Sequence, residues 1–398
     1  MEQNRANEKI RYCALTTISL NMRSFVLPAA EHLAANGYEV TVGCMRDDKF
    51  AQSLEGKPVK YLPLNILRGF SLKGTLAGIW QLFRFFRKQH IQMVEYGTEN
   101  VSFCGSIAAW LARVPIRIYN HWGARYVGYS KGFGRSFSIF IEKTCAKLST
   151  DVRQSSELNR QMCINDGLYP AEKVKVLGYG GTVGADFSRF DISKKAEWNE
   201  ALRERYGIEK EDFVFGDICW VRKDKGSNEL IEAFRKLNKR DAWLMFIGDI
   251  YEDDPVEKEL LEWAQKSDRV IFTNRVLDVE HYVAAINVLV HPSYREGLGM
   301  VLQEAGAMGI PCITTDVIGP KEFGIPGTTG LLVKKGDMDD LYEKMLYFYE
   351  DRTRLESFSK ATYEMVKERY ERGVMVQRIL EDRNDLWNKH QSKKLAKK

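Results

Sequence analysis

Long apolar runs are absent from this chain of 398 residues, in which no 18 consecutive residues are all apolar. A helix that crosses a bilayer needs about 20 such residues, so we expect no membrane-spanning helix. The seven cysteines are scattered without a Cys-x-x-Cys pair, which favours a reducing cytoplasm over a disulfide framework or a zinc site. The polar opening MEQNRANE is not typical of a secretory signal.

The net charge of +5 is unevenly distributed along the chain. Residues 1–190 contain 25 Lys and Arg against 15 Asp and Glu, whereas the remaining residues contain 34 against 39. A basic first half favours a nucleic acid, an anionic lipid headgroup or a phosphorylated substrate as partner, the alternative being a chance asymmetry of a solvated surface. Because no recognised nucleic-acid-binding motif is present, we expect no nucleic-acid partner.

Strand-like and helix-like segments alternate, which predicts an α/β protein, and the length favours two domains. In the first half, helix-like segments at 25–36, 72–89 and 100–111 separate strand-like runs at 11–17, 39–43, 92–96 and 116–119. The second half has strand-like runs at 213–215, 243–247, 270–272, 288–290 and 312–314. The glycine-rich run LGYGGTVG at residues 177–184 is the expected hinge.

The run EGLGMVLQE at residues 296–304 is typical of a phosphate-binding loop, because it joins a strand-like run to a helix of small residues. Backbone N–H groups at a helix start carry a partial positive charge, and Gly297 and Gly299 allow an anion to approach them closely. If the run is helical, Glu296 and Glu304 lie roughly 12 Å apart, too far for a paired acid and base. We therefore interpret them as contacts at the two ends of an elongated ligand with the shape of a nucleotide-sugar.

Four motifs in the second half extend this pattern: HPSYREGLG at 291–299, GAMGIP at 306–311, TDVIGP at 315–320 and TGLLV at 329–333. With them the sequence resembles glycosyltransferase family 4, the retaining nucleotide-sugar transferases. The resemblance implies the GT-B fold, an α/β architecture of two Rossmann-like domains facing a cleft. The expected boundaries are an acceptor-binding domain at 1–185, a nucleotide-sugar-binding domain at 186–365, a helix crossing back at 366–390, and a basic disordered tail at 391–398.

The resemblance also implies roles for individual residues. Glu296 is expected to contact the donor sugar and Glu304 the ribose hydroxyls, while Lys225 neutralises the charge that develops on the departing diphosphate. The diphosphate is expected to meet the backbone of Gly297, Leu298, Gly299 and Met300, and the base that of Arg275 and Val276. His121 is expected to position the donor, the alternative being a structural histidine.

One position departs from the family pattern, because Trp220 stands where an arginine is usual, five residues before Lys225. Arg222 is our candidate for supplying the missing charge from the same loop, and Lys223 is the second.

The first loop, with RSFVLP at residues 23–28, resembles that of family members that extend lipid-linked oligosaccharides for capsule, O-antigen or protein glycans. Arg23 is the candidate for the acceptor pyrophosphate, the alternative being a solvated residue at a helix start. Basic–aromatic stretches at 80–88 and 125–137 suit an anionic membrane surface, although the first could be an ordinary core helix.

We therefore expect a hexosyltransferase that moves an N-acetylhexosamine or related sugar from a UDP-sugar to a lipid-linked saccharide, peripherally on the inner face of the cytoplasmic membrane. Neither a cofactor nor a metal is expected, and EDD at residues 252–254 is interpreted as a solvated turn. Two alternatives stay open: a nucleotide-sugar epimerase on a similar fold, and a catalytically silent nucleotide-sugar-binding subunit.

Overall fold

The computed structural model describes residues 9–66, 69, 71–129 and 131–396. The chain divides into two compact units, one formed by Met1–Val183 with Gly373–Lys398 and one by Gly184–Arg372. The first boundary therefore falls within the glycine-rich run at 177–184, and the chain returns to the first unit after the second is complete.

The first unit is a sheet of seven parallel strands in the order β3-β2-β1-β4-β5-β6-β7. Its strands β1 to β7 are Ile10–Leu15, Tyr38–Met45, Val59–Leu64, Met93–Tyr96, Ile116–His121, Asp151–Gln154 and Val174–Val176. Its helices α1 to α7 are Ser19–Phe25, Leu27–Ala35, Asp48–Gln52, Leu72–Lys88, Glu99–Leu111, Phe133–Leu148 and Glu157–Asn165. The helix expected at 25–36 begins at Leu27 instead, because Pro28 suits a first helical turn.

The second unit is a sheet of six parallel strands in the order β10-β9-β8-β11-β12-β13. Its strands β8 to β13 are Phe213–Ile218, Ala242–Ile247, Val270–Phe272, Val288–His291, Cys312–Thr315 and Gly330–Val333. Its helices α8 to α15 are Lys195–Tyr206, Ser227–Leu237, Lys258–Lys266, Val279–Ala285, Met300–Ala307, Pro320–Phe323, Met338–Glu350 and Arg354–Tyr370. The predicted α/β class with parallel sheets is confirmed in both units.

The last helix, α16, spans Arg372–Leu395, so the tail expected to be disordered from residue 391 is helical up to Leu395. The prediction was wrong there because a helix already packed on the first unit extends into a polar last turn more easily than an isolated segment would. Lys393 and Lys394 also lie in that turn, where cations interact favourably with the helix dipole.

Buried ion pairs attach α16 to the sheet of the first unit. Arg383 contacts Glu95 of β4 at 2.5 Å, and Asp382 accepts two hydrogen bonds from Arg153 of β6 at 2.8 and 2.9 Å. All four side chains are buried. Charges in such a place are tolerated only while they are paired, so the helix completes this part of the core electrostatically.

Helices α4 and α6 both pack against α5 and leave large apolar side chains in solvent. Leu72 and Trp80 of α4 are 79% and 59% exposed, and Phe133 and Phe140 of α6 are 85% and 57% exposed. The opposite face of α4 is buried, so this helix is both a core helix and the carrier of an apolar surface. In the described part of the chain, no helix has both the length and the apolarity to span a bilayer.

Replacing Arg383 with alanine is expected to leave Glu95 as a buried unpaired charge. The expected loss is about 3–5 kcal/mol of unfolding free energy, from the usual cost of breaking a buried pair. Urea unfolding followed by tryptophan fluorescence measures it, with Lys389→Ala, an exposed position on the same helix, as the control. Equal stability of the two variants would show that the pair does not hold the helix in place.

Candidate active site

The candidate site lies at the carboxyl edge of the second sheet, between β8 and β11. The strand order reverses at this point, because β8 pairs with β9 on one side and with β11 on the other. Ligands of open parallel α/β sheets bind at such switch points, outside the carboxyl ends of the strands. The loop after β8 carries Lys225 and the loop after β11 carries Glu296, so the topology brings the two predicted residues together.

Lys225 and Glu296 form an ion pair between Nζ and Oε1, although 71 residues separate them in sequence. Lys225 ends a short 3₁₀ helix at Lys223–Lys225, directly before α9. Burial acts to raise the pKa of the Glu296 carboxyl, but the charges of Lys225 and His291 outweigh it and hold the pKa far below its ordinary range. Glu296 is therefore an ionised carboxylate, partly exposed beside a cation that is also partly exposed.

His291, the last residue of β11, links Glu296 to the interior of the sheet. Its Nε2 lies 3.2 Å from Oε1 of Glu296 and its Nδ1 lies 2.9 Å from Oδ1 of Asp217 on β8. Burial acts to lower the pKa of His291, but the two carboxylates raise it to about 9, so the imidazole is protonated at neutral pH. Ser293 donates a further hydrogen bond to Glu296 at 3.3 Å. Glu296 is thus oriented by three side chains.

Helix α12 begins beside this carboxylate and carries Glu304. Gly299 precedes the helix with φ of 94°, a backbone conformation that suits glycine, and no side chain caps the first turn. Partial burial raises the pKa of Glu304 to about 7, because Arg189 and Arg372 compensate it only in part. No hydrogen bond to another side chain contributes to that pKa. Glu304 is therefore a partly exposed acceptor, unlike Glu296, whose Oε1 contacts Lys225, His291 and Ser293.

The remaining residues of the predicted loop are placed differently from one another. The Leu298 side chain is buried in the hydrophobic core, so only its backbone can face a ligand. Met300 opens α12 and is partly exposed, as is Gly297.

Arg222, predicted to supply a missing positive charge, is already paired with carboxylates. Its Nε lies 2.5 Å from Oδ1 of Asp224, and one terminal nitrogen lies 3.6 Å from Asp254. Its guanidinium also lies over the ring of Tyr251, 5.2 Å from the centroid. Arg222 therefore brings no net positive charge to the loop, and Lys223 beside it is exposed.

The predicted base-contacting segment follows β10. The Arg275 side chain pairs with Asp249 at 3.1 Å, and the Arg275 backbone N–H donates to the same carboxylate at 2.8 Å. Val276 is half-buried against the core of the unit. Asp249 therefore joins this segment to the loop after β9.

His121 and Arg23 belong to the first unit. His121 ends β5, as expected, but it is buried, with Nδ1 3.1 Å from the hydroxyl of Tyr169 and Nε2 3.3 Å from Glu142. Burial lowers its pKa, but contacts with Cys163 and Glu142 raise it to about 10. The ring is buried, so a contact with a donor would require the residues around it to move. Arg23 lies on α1 over the ring of Phe50, 4.8 Å from its centroid.

Sequence reasoning assigned no role to His291 or Asp217. Both carry a signal, since each is a polar residue inside an otherwise apolar strand of a parallel sheet. Among the described residues, no group of three or more His, Cys, Asp or Glu side chains is arranged to hold a metal ion. Asp254, the last residue of the run EDD at 252–254, accepts a hydrogen bond from the backbone N–H of Asp224 at 2.9 Å.

Two family models match the chain. Residues 199–365 match the glycosyl transferases group 1, and residues 22–180 match the glycosyl transferase 4-like domain. Each match lies almost entirely within one of the two structural units.

Similar proteins span most of the chain. The capsular polysaccharide biosynthesis glycosyltransferase CapM of Staphylococcus aureus is 28% identical over 83% of this chain and 85% of its own length. The UDP-Gal:alpha-D-GlcNAc-diphosphoundecaprenol alpha-1,3-galactosyltransferase of Escherichia coli is 19% identical over 88% of this chain and 90% of its own. The crystal structure of Anabaena Alr3699/HepE in complex with UDP and glucose superposes with a TM-score of 0.79 at 21% identity, covering 94% of this chain and all of that one.

The two parallel-sheet units have the GT-B fold, and the matching family models make the chain a glycosyltransferase. The chain belongs to the group 1 glycosyltransferases. The predicted family, fold and enzyme class are thus confirmed.

The pKa of His291 predicts how the stability of the second unit depends on pH. A histidine whose pKa rises on folding from about 6.5 contributes stability that is complete below that pH. The contribution is lost as the pH rises through the folded-state pKa of about 9. The thermal unfolding midpoint is therefore expected to decrease as the pH is raised from 7 to 10. The His291→Asn variant is expected to have a lower midpoint at pH 7 and a smaller decrease over the same range.

The matched control is His281→Asn, because that side chain is substantially exposed. It is expected to keep the pH dependence of the unchanged protein. If His291→Asn also keeps it, the proton does not reside on His291.

Proposed function

We propose that this protein transfers a sugar from a UDP-sugar to a lipid-linked saccharide, with retention of anomeric configuration, in the assembly of a surface polysaccharide or glycan. The observation that carries the proposal is the Lys225–Glu296–His291 network at the switch point of the second sheet, directly before α12. It combines a cation suited to a diphosphate with an oriented carboxylate suited to sugar hydroxyls.

The proposed donor is UDP-linked, and we infer an N-acetylhexosamine or a related sugar. Two similar proteins support this choice by their names, one with UDP bound and one acting with UDP-Gal. Glu304 fits a ribose contact, because its carboxylate is partly exposed and has a raised pKa of about 7. Two ribose hydroxyls donating to it would favour the ionised form that burial disfavours.

The proposed reaction is a front-face displacement. The bond from the anomeric carbon to the diphosphate oxygen breaks, and the acceptor oxygen forms its bond on the same face. The departing diphosphate takes the electron pair and then the acceptor proton. Lys225 and the start of α12 would stabilise the charge on the diphosphate, while Glu296 would hold the sugar hydroxyls. His291 keeps Glu296 ionised and oriented.

The proposed acceptor is a lipid-linked saccharide, because the first unit carries an apolar and basic surface. We define this surface as the exposed faces of α4 and α6, with Leu72, Leu76, Trp80, Phe133, Phe137 and Phe140 as its exposed apolar residues. Exposed cations flank them at Lys73, Arg84, Arg87, Lys88, Lys131, Lys143 and Lys147. Apolar side chains within a field of cations suit the headgroup region of an anionic membrane.

The substitutions Glu296→Gln and Lys225→Ala test the assignment of the site. Each is expected to reduce kcat/KM for sugar transfer by about 10²-fold or more, the usual scale for one electrostatic contact to a transition state. The measurement is the rate of glycosylated product by mass spectrometry, with circular dichroism to confirm the fold.

Lys236→Ala is the control, because Lys236 forms a lysine–carboxylate pair with Asp339 on the surface of the same unit. Near-normal rates in both site variants would place the chemistry elsewhere.

Binding to vesicles tests the surface of α4 and α6. The double substitution Phe133→Ser and Phe140→Ser is expected to weaken the binding constant for phosphatidylglycerol vesicles, measured by cosedimentation, by about 10²-fold or more, because burial of each phenylalanine contributes about 1.5–3 kcal/mol. Binding is also expected to weaken with salt.

Tyr347→Ser is the matched control, since Tyr347 is an exposed aromatic residue of the second unit. Unchanged cosedimentation of the double variant would mean that α6 does not meet the lipid.

Product analysis separates the proposal from the two alternatives. An epimerase changes the nucleotide-sugar without an acceptor, so its product keeps the mass of the donor. A silent binding subunit gives no product and no slow hydrolysis of the donor. The proposal requires a glycosylated acceptor together with free UDP.

A further inference from the structure

Trp220 and Tyr251 form a stacked aromatic pair beside the candidate site. Their ring centroids lie 4.7 Å apart and the planes are inclined by only 4°. Both rings are partly exposed, and neither is part of the hydrophobic clusters of the second unit. Each follows a strand at the carboxyl edge of the sheet, Trp220 after β8 and Tyr251 after β9. The pair is therefore a solvent-facing feature of the same edge that carries Lys225.

The two loops that carry the rings are held together by their backbones. The Tyr251 N–H donates to the carbonyl of Val221 at 3.1 Å, and the Lys223 N–H donates to that of Asp254 at 3.0 Å. A Cβ on Gly248 would lie 1.9 Å from the carbonyl oxygen of Cys219, so glycine is needed where the loops approach. The stack is thus fixed before any ligand arrives, which limits the entropy lost on binding.

The surroundings of the pair are unsuited to a phosphate. Within the described part of the chain, the cation in contact with the pair is Arg222, which lies over Tyr251 and is paired with Asp224 and Asp254. Asp249 lies in the same loop as Tyr251. Because Arg222 is held by these carboxylates and by Tyr251, it is not free to bind a phosphate, whereas carboxylate oxygens can accept hydrogen bonds from hydroxyls. Flat aromatic surface together with such acceptors matches a ring that has an apolar C–H face and polar edges.

We propose that Trp220, backed by the stacked ring of Tyr251, forms a platform: a pyranose ring of a substrate stacks by its C–H face on the face of Trp220 that Tyr251 does not cover. This inference rests on the proposed function, and it gives Trp220 a role in place of the arginine usual at this position. The ring belongs either to the donor sugar or to the terminal sugar of the acceptor, since both present the same chemistry. In this proposal the diphosphate is bound by Lys225 and the start of α12, and not by residue 220.

Trp220→Ala and Trp220→Phe test the platform through three measurements. Calorimetry gives the Kd of UDP and of the UDP-sugar, and steady-state kinetics gives the KM of the acceptor. Trp220→Ala is expected to leave the Kd of UDP within twofold of its original value. It is expected to raise either the Kd of the UDP-sugar or the KM of the acceptor about tenfold, and Trp220→Phe is expected to restore most of the loss.

The pattern identifies the source of the ring. A raised Kd of the UDP-sugar with an unchanged Kd of UDP assigns the platform to the donor sugar. A raised KM of the acceptor with an unchanged Kd of the UDP-sugar assigns it to the acceptor. Glu252→Ala, an exposed position in the loop that carries Tyr251, controls for disturbance of that loop and is expected to change neither.

Two results would overturn the platform itself. An equal rise in the Kd of UDP and in the Kd of the UDP-sugar would mean that Trp220 contacts the nucleotide. If both Kd values and the KM of the acceptor are unchanged, Trp220 contacts none of the three ligands. A failure of the proposed function gives a different result, because the unchanged protein would then neither bind UDP-sugars nor form a glycosylated product.

Discussion

The second unit depends on one electrostatic constraint: the negative charge of Glu296, which is only partly exposed to water, must be balanced by its neighbours. Lys225 and His291 provide that balance, and Asp217 balances His291 in turn. Four charged groups from the ends of β8 and β11 and their loops therefore form one alternating chain. Because each neutralises its neighbour, removing any one exposes the others to the cost of burial. The loops are consequently held in a single geometry before a substrate arrives.

Much of this edge could be predicted from the sequence. Spacing and glycine positions located Glu296, Glu304 and the helix between them, and the position after a strand located Lys225. The partners of Glu296 could not be found in the same way, because the Asp217–His291 contact depends on the pairing of β8 with β11, 74 residues apart in sequence. Arg222 has one carboxylate partner, Asp224, only two residues away in sequence, but its second partner, Asp254, is brought beside it by the fold.

Among the strands, too, some could be predicted from the sequence and others depend on partners that are distant in sequence. Nine of the strands were predicted, whereas β3, β6, β7 and β13 were not. β3 lies at the sheet edge and contains Lys60 and Pro63, which are tolerated there because an edge strand needs fewer ladder bonds. β6 contains Arg153, whose charge belongs in a strand only because Asp382 arrives from the far end of the chain. Residues satisfied by distant partners are therefore those that local patterns misread.

The contact between Arg153 and Asp382 affects the order in which the two units can be completed during synthesis on the ribosome. The second unit is a continuous segment, Gly184–Arg372, and all of its residues are available once that segment has emerged. The first unit is made earlier, yet its Glu95 and Arg153 meet their partners only when α16 has been translated. Domains often fold in the order in which they are made. Here the unit that is begun first is the one that is completed last, so a chain terminated before α16 would contain a complete second unit and a first unit with unpaired charges in its core.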